Sequence, residues 1–229
     1  DSTVRGVRRF GKVLVIDFSS DYSLAVHVKL TGQLVLKVPE VSEVSKVSKV
    51  KVGLLPGSFT HVIFHLSRGG KLFYNDIRQF GWLRVLLTDE VEKMKFIDEL
   101  GPEPNISNQS KSKSKKELTL KTFKKILEGR NTPIKVLIMD QKVLAGIGNI
   151  YANDALYLAR IHPKRAAKSL SLSEQSKLYE AIHVVLKKGL ELGGSSENTY
   201  VNALGEEGRY QEHMLVYARA GKQCTECGT

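Results

Sequence analysis

The segment Leu144–Leu156, "LAGIGNIYANDAL", decides how this chain is read. It lies in a region whose apolar residues otherwise recur at helical spacing. Gly146, Gly148 and Asn149 disfavour a helix and fall within four positions. A glycine-rich turn that opens into a helix leaves backbone N–H groups without intrahelical partners. Together with the helix dipole they form a site for an anion. Gly146 and Gly148 would let a phosphate approach the main chain, and Asn149 would add an amide donor at the mouth of the helix "IYANDALYLARI". By spacing alone, G-x-G serves a ligand-free interhelical turn equally well.

Charge points the same way. Thirty-five Lys and Arg against 24 Asp and Glu leave a net +11. A balance of this sign favours a polyanionic partner, nucleic acid being the usual one, although a basic soluble protein without such a partner fits as well. The 229 residues suffice for one large domain or two small ones with a real core. The longest apolar runs, such as "KVLVIDF" at 12–18, are strand-length and too short for a membrane span. The opening "DSTVRGVRRFGK" carries no signal pattern. Asp1 is not a natural start, which points to a cut N-terminus.

Upstream of the turn, residues 4–104 read as β-rich. "KVLVIDFS", "SLAVHVKLTGQLVLKV", "THVIFHLS", "KLFYNDI" and "FGWLRVLL" are short runs separated by turn signals at Ser19-Ser20-Asp21, Thr31-Gly32, Arg68-Gly69-Gly70 and Asn75-Asp76. Their spacing predicts an antiparallel sandwich or barrel. Residues 41–49, "VSEVSKVSK", repeat every three residues, a period of neither strand nor helix, and read as an extended surface loop. The Ser/Lys-rich stretch 105–116 reads as a linker. Beyond it the period turns helical. "LTLKTFKKILEG" places Leu120, Phe123 and Leu127 on one face and stops at Gly129. "SLSEQSKLYEAIHVVLKKGLELGG" opens with a capping box, Ser171 with Glu174, and stops at Gly193-Gly194. The fold class expected is α+β, with a sandwich over 1–104, a linker over 105–116 and a helical unit over 117–221.

At the end, Cys224 and Cys227 form C-x2-C. A lone pair without an export signal argues against a disulfide framework. The tight spacing followed by glycine suits one half of a zinc ribbon, although zinc requires four ligands. A redox pair or two incidental thiols are the other readings.

The stretch "IKVLIMDQKVLAGIGNIYANDALYLARIHPKR" closely resembles the helix–two-turn–helix of bacterial formamidopyrimidine-DNA glycosylases. "VRRFGKVLVIDF", "HVKLTGQLVL", "YNDIRQFGWLRVL", "LGPEP" and "VYARAGKQCTECGT" follow in that family's order. The resemblance spans nearly the whole chain, apart from the valine–serine repeat and the Ser/Lys stretch. It implies a base-excision enzyme that removes oxidised purines such as 8-oxoguanine and formamidopyrimidines from double-stranded DNA and then cuts the strand as a lyase. The partner implied is duplex DNA carrying an oxidised base, held between a β-sandwich, a helical unit and a zinc finger that begins at 222–229. The setting implied is the bacterial cytoplasm, at the nucleoid when bound to DNA, with the enzyme working as a monomer and touching no membrane.

Roles carry over by position. Lys12 matches a lysine that contacts the damaged strand and assists proton transfer; by itself it equally reads as a strand-edge lysine. Asn149 matches the phosphate-binding asparagine. Arg130 and Lys135 match basic positions at the DNA backbone, and either could instead be a helix-end cation. His27 matches a histidine near the lesion phosphates, or is a satisfied histidine on a strand face. Leu30, Arg78 and Phe80 fall where the family fills the hole left by an everted base. Leu30 and Phe80 would otherwise be ordinary sheet core. Cys224 and Cys227 match two of the four zinc ligands.

There are departures from the family pattern. Leu30 replaces a methionine, Ile77 and Gln79 replace a proline and an arginine, and Phe59 stands where a DNA-contacting histidine is frequent. The resemblance implies an N-terminal proline nucleophile followed by a glutamate acid, and Asp1-Ser2 match neither. The second cysteine pair is not matched either. A piece of a longer enzyme, cut at both ends and inactive as it stands, is the expectation. An endonuclease VIII-like enzyme acting on oxidised pyrimidines and a non-catalytic DNA-binding relative are the rivals. The pair Arg78/Phe80 and the segment "GGSSENTYVNALGEEGRYQEHMLVYAR" favour the purine enzyme.

Overall fold

The computed structural model describes residues 2–39, 55–106, 117–197, 199–224 and 226–228. The valine–serine repeat at 41–49 and positions 107–116 of the Ser/Lys stretch lie outside them. The described part is α+β. Strands β1 (Val4–Phe10), β2 (Val13–Phe18), β3 (Tyr22–His27) and β7 (Trp82–Leu87) form one sheet, in the order β1-β2-β3-β7. Strands β4 (Gly32–Lys37), β5 (Thr60–His65) and β6 (Lys71–Asp76) form a second, in the order β4-β6-β5. Every pairing is antiparallel.

Strand β2 shows why the first sheet is covered on both sides. Val13 and Val15 point to one face and Leu14 and Ile16 to the other. The first pair packs with Phe10, Ala25, Val91 and Ile97 under the 3-10 turn Thr88–Lys93 and the short helix α1 (Lys95–Asp98). The second pair joins Leu24, Val26, Tyr74, Leu34 and Val62 between the two sheets. A strand apolar on both faces is stable only when both faces are covered.

Two turn assignments differ from the sequence reading. Asn75 and Asp76 end β6 instead of forming a turn, and both are buried. Asn75 accepts the Thr60 hydroxyl at 2.7 Å, and Asp76 gathers the N–H groups of the loop beyond it. These local bonds satisfy side chains that otherwise favour turns. The Thr31-Gly32 turn joins no hairpin, since β3 and β4 belong to different sheets. Gly32 donates to the Val28 carbonyl at 2.9 Å, and a Cβ on Gly32 would sit 2.4 Å from that oxygen. Only glycine allows so tight a crossing.

The helical unit comprises α2 (Leu120–Leu127), α3 (Ile134–Met139), α4 (Asn149–Leu158) and α5 (Leu172–Glu191). Phe123, Leu127, Ile134, Ile138, Leu144, Ile147, Ala152, Leu178 and Ile182 share one core. The α5 capping box forms as its sequence predicts, with Ser171 and Glu174 serving each other's backbone N–H. Asp154 of α4 is fully buried, yet satisfied: it accepts the Tyr210 hydroxyl at 3.0 Å and the N–H groups of Leu215 and Val216 at 3.2 Å. That carboxylate ties the C-terminal stretch to the helices. Between the halves run residues 101–103. Gly101 N–H donates to the Gln141 carbonyl, and Ala145 N–H to that of Pro102. No helix among the described residues is long and apolar enough to cross a membrane.

Candidate nucleic-acid interface

Helix α4 begins at Asn149 with Gly148 as its N-cap residue, so the opening turn delivers a helix N-terminus to the surface. Gln141 shapes the approach. Its amide donates to the Met139 and Ile147 carbonyls, and its oxygen accepts the Gly146 N–H at 3.0 Å. Gly146 therefore has its donor turned inward, contrary to the expectation that it lies against a phosphate. Its φ of +90° demands glycine, and a Cβ there would lie 3.1 Å from Glu103 Oε1. Gly148 is the open position. A Cβ on it would lie 3.5 Å from Lys12 Nζ. Asn149 is exposed, and its side-chain oxygen takes a long 3.5 Å bond from Asn153.

Lys12 reaches this turn from the sandwich. It follows Gly11, whose φ of +55° closes the β1–β2 turn. Glu103, buried between the halves, holds that turn in place: its carboxylate accepts the Gly11 N–H at 3.2 Å and the guanidinium of Arg9. Burial, then the charge of Lys29, pulls the Lys12 ammonium below its ordinary pKa. A cavity of about 900 Å³ opens here, lined by Arg9, Lys12, Glu103, Gly146, Tyr151 and Tyr200 among others.

His27 is only 6% exposed and packs against the rings of Trp82 and Phe96. Burial, then Lys29 and Lys12, push its pKa down to about 4, so it is neutral at pH 7. Nδ1 accepts the Lys29 N–H at 3.0 Å, which leaves the ring proton on Nε2 as a donor. Leu30 stands 57% exposed between β3 and β4, and Phe80 63% exposed between β6 and β7. Neither is sheet core. The Arg78 guanidinium lies over the Phe80 ring, 4.9 Å from its centre.

Lys12, His27, Gly148 and Asn149 thus form one group, with Leu30 reached from it along the chain through Lys29. Arg130 and Lys135 lie elsewhere on the helical unit. Arg130 is exposed after α2, with its carbonyl taking the Lys168 N–H, and Lys135 is half-buried in α3. The sequence reading missed Lys29, Gln141 and Glu103. All three lie within quoted stretches, Lys29 in "HVKLTGQLVL", Gln141 in "IKVLIMDQKVL" and Glu103 in "LGPEP", but spacing alone gave none of them a partner.

Cys224 and Cys227 lie on a tight turn, in which the Gly228 N–H donates to the Cys224 carbonyl at 3.0 Å. The N–H groups of Cys227 and Glu226, with the Tyr157 hydroxyl at 3.6 Å, bring the Cys224 thiol down to about 7. Arg160 pairs with Glu226 at 3.3 Å and holds the turn against α4. Two thiols so placed could supply two of the four ligands a zinc ion takes. Among the described residues no cluster of three or more His, Cys, Asp or Glu completes the set.

A two-sheet unit joined to a helical unit, with Lys12 at a helix N-terminus between them, is the arrangement of an anion-binding protein, and comparison with known proteins names the family. Residues 1–83 match the formamidopyrimidine-DNA glycosylase N-terminal domain and residues 100–201 the formamidopyrimidine-DNA glycosylase H2TH domain. A formamidopyrimidine-DNA glycosylase of Pelotomaculum thermopropionicum is 40% identical over 229 residues, all of this chain and 75% of that protein. One from Rickettsia conorii is 38% identical over all of this chain and 76% of its own length. A Lactococcus lactis Fpg bound to DNA containing an abasic site superposes with a TM-score of 0.81 at 30% identity, covering all of this chain and 75% of that one. The wild-type enzyme of the same organism, in complex with DNA containing N7-benzyl-Fapy-dG, gives 0.80 at 29% identity over the same shares. The chain belongs to the formamidopyrimidine-DNA glycosylase family.

Proposed function

We propose that this chain serves base-excision repair as a DNA glycosylase that removes oxidised purines, 8-oxoguanine and formamidopyrimidines, from duplex DNA and acts as an AP lyase. The observation that carries this reading is the placing of the Lys12 amine beside Gly148, at the N-terminus of α4 and the mouth of the cavity. A backbone phosphate suits that spot, because the helix N-terminus, the Asn149 amide and the Lys12 ammonium all favour negative charge. The lowered pKa of Lys12 brings proton transfer closer to neutral pH, while a bound phosphate raises it again. His27 offers its Nε2 proton to a neighbouring phosphate without adding charge. Arg130 and Lys135 hold backbone further out.

An everted nucleotide needs a pocket, and its departure leaves a hole in the duplex. The cavity beside Lys12 takes the nucleotide, with Tyr151 and Tyr200 as aromatic walls. Leu30 and Phe80 wedge into the stack, and Arg78 reaches the orphaned cytosine. Cys224 and Cys227 would hold one side of a zinc ion, whose chemistry here is structural. The chain then divides into a sandwich at 1–104, a linker at 105–116, the helical unit at 117–221 and the start of a finger at 222–229, acting as a monomer in the cytoplasm.

Competition binding tests the reading. Duplexes with 8-oxoguanine opposite cytosine should bind at least about tenfold more tightly than undamaged ones, a lower bound on the usual gap between specific and non-specific sites. Stronger binding of thymine glycol would turn the assignment to an endonuclease VIII-like enzyme. Equal binding of all duplexes would leave only a non-catalytic DNA-binding protein.

A further inference from the structure

Leu30 stands on the β3–β4 loop and the Arg78/Phe80 pair on the β6–β7 loop, yet all must enter one hole in the duplex. Strand pairing brings the two loops side by side, with Gly32 of β4 opposite Asp76 of β6 and His27 of β3 opposite Trp82 of β7. A hydrogen-bond knot at the base of both loops then ties their tips to each other. Asp76, only 1% exposed, accepts the Thr31 hydroxyl and the Arg78 N–H, the latter at 3.2 Å, on Oδ1. Its Oδ2 accepts the Gly81 N–H at 2.8 Å and the Tyr74 hydroxyl at 3.4 Å. The Thr31 oxygen in turn accepts the Arg78 N–H at 3.3 Å. The residue after Leu30 is therefore donor to the carboxylate that organises the other loop and acceptor from Arg78 itself.

The surroundings leave the knot little freedom. Gln79 has φ +57° and Lys29 φ +53°, left-handed conformations that non-glycine residues hold only when neighbours enforce them. A Cβ on Gly81 would lie 2.0 Å from the Tyr74 hydroxyl. Burial alone would raise the Asp76 carboxyl, but the bonds from Thr31, Gly81, Arg78 and Tyr74 outweigh it and keep the group ionised. An ionised acceptor makes each of these bonds stronger than a neutral pair.

We propose that Thr31 is a positioning residue whose hydroxyl locks the Leu30 loop to the Arg78–Phe80 loop, so that both tips enter the duplex as one preorganised unit and read the base opposite the lesion. The proposal rests on the void-filling reading of Leu30, Arg78 and Phe80. Loops that entered independently would each lose freedom on binding; loops already joined have lost it on folding. Selectivity then depends on a group that touches no DNA.

The test uses duplexes carrying an abasic-site analogue opposite cytosine or adenine, with 2-aminopurine beside the gap to report unstacking. Thr31→Val keeps shape and removes both bonds. It should lower the cytosine-over-adenine preference about fivefold, the scale of a lost hydrogen bond. It should also reduce the 2-aminopurine signal and leave affinity for undamaged DNA unchanged. Thr31→Ser keeps the hydroxyl and should hold parental values in all three. A parental preference in Thr31→Val, beside a loss in Arg78→Ala, overturns the coupling and leaves the void-filling reading standing. A parental preference in Arg78→Ala as well sinks both. An equal loss in Thr31→Ser and Thr31→Val also overturns the proposal, since a variant that keeps the hydroxyl would then fail as badly as one that lacks it.

Discussion

Asn149 and His27 show how differently two polar residues serve one surface. Asn149 sits at the first position of α4, exposed, where its amide adds a donor to the positive end of a helix dipole. Phosphate contacts hold DNA without reading its sequence. Asn149→Ala should therefore weaken binding to damaged and undamaged duplexes alike, by about tenfold for a bond to a charged group. Equal affinities of variant and parent at moderate salt would remove the turn from the interface. His27 is buried and neutral, with a pKa of about 4 in the fold against an ordinary 6.5. Below pH 6.5 the unfolded chain takes up a proton there that the fold refuses. Its contribution to stability is thus complete above about pH 6.5 and is lost as pH falls to about 4, by at most about 3 kcal/mol. Thermal melts of the parent and His27→Gln across that window should converge as pH falls. Parallel curves would contradict the buried neutral imidazole. The identity of both residues was visible in the sequence, but the neutrality of His27 was not, since Lys29, Trp82 and Phe96 reach it through the fold.

At the scale of elements, the packing of α4 on α5 turns on a residue that looks wrong for its place. Gly189 lies inside α5, where alanine would favour the helix by roughly 1 kcal/mol. A Cβ there would sit 2.6 Å from the Tyr151 ring. That ring cannot withdraw freely, because it packs on Tyr210 with centroids 4.8 Å apart, and Tyr210 is pinned by Asp154. Overpacking of this kind costs about 1–3 kcal/mol and outweighs the propensity gain. Gly189→Ala should lower the melting temperature and, by displacing Tyr151 in the cavity wall, weaken binding of an abasic-site duplex more than of an undamaged one. A rise in melting temperature would show that the helices spread without cost. Helix α5 itself was legible from its capping box and its period, whereas its glycine gained a reason only once α4 was laid against it.

For the molecule as a whole, affinity and chemistry separate. The net +11 predicts DNA binding that weakens steeply as salt rises, through release of counterions. The lyase chemistry proposed above needs an amine that can attack carbon. Lys12 is the amine at the cavity mouth. Burial and Lys29 lower its pKa, whereas phosphates bound at α4 raise it again. An amine held among phosphates serves to move protons, so Lys12 should form no Schiff base with an 8-oxoguanine duplex. Borohydride reduction of that complex should give no covalent adduct through Lys12; an adduct lost in Lys12→Ala would make Lys12 a nucleophile.

The sequence by itself determined the α+β class, most of the strands, the capped helix α5 and the turn at Leu144–Leu156, because each depends on local period, propensity and turn chemistry. The tertiary structure alone decided that β3 and β4 part into different sheets, that Asn75 and Asp76 close a strand instead of making a turn, and that Gly146 faces Glu103 while Gly148 faces Lys12. Those outcomes depend on contacts between residues far apart in the chain: Glu103 with Gly11, Thr31 with Asp76, Lys12 with Gly148. Period and propensity carry no term for such pairs, since the two partners become neighbours only after both halves have folded.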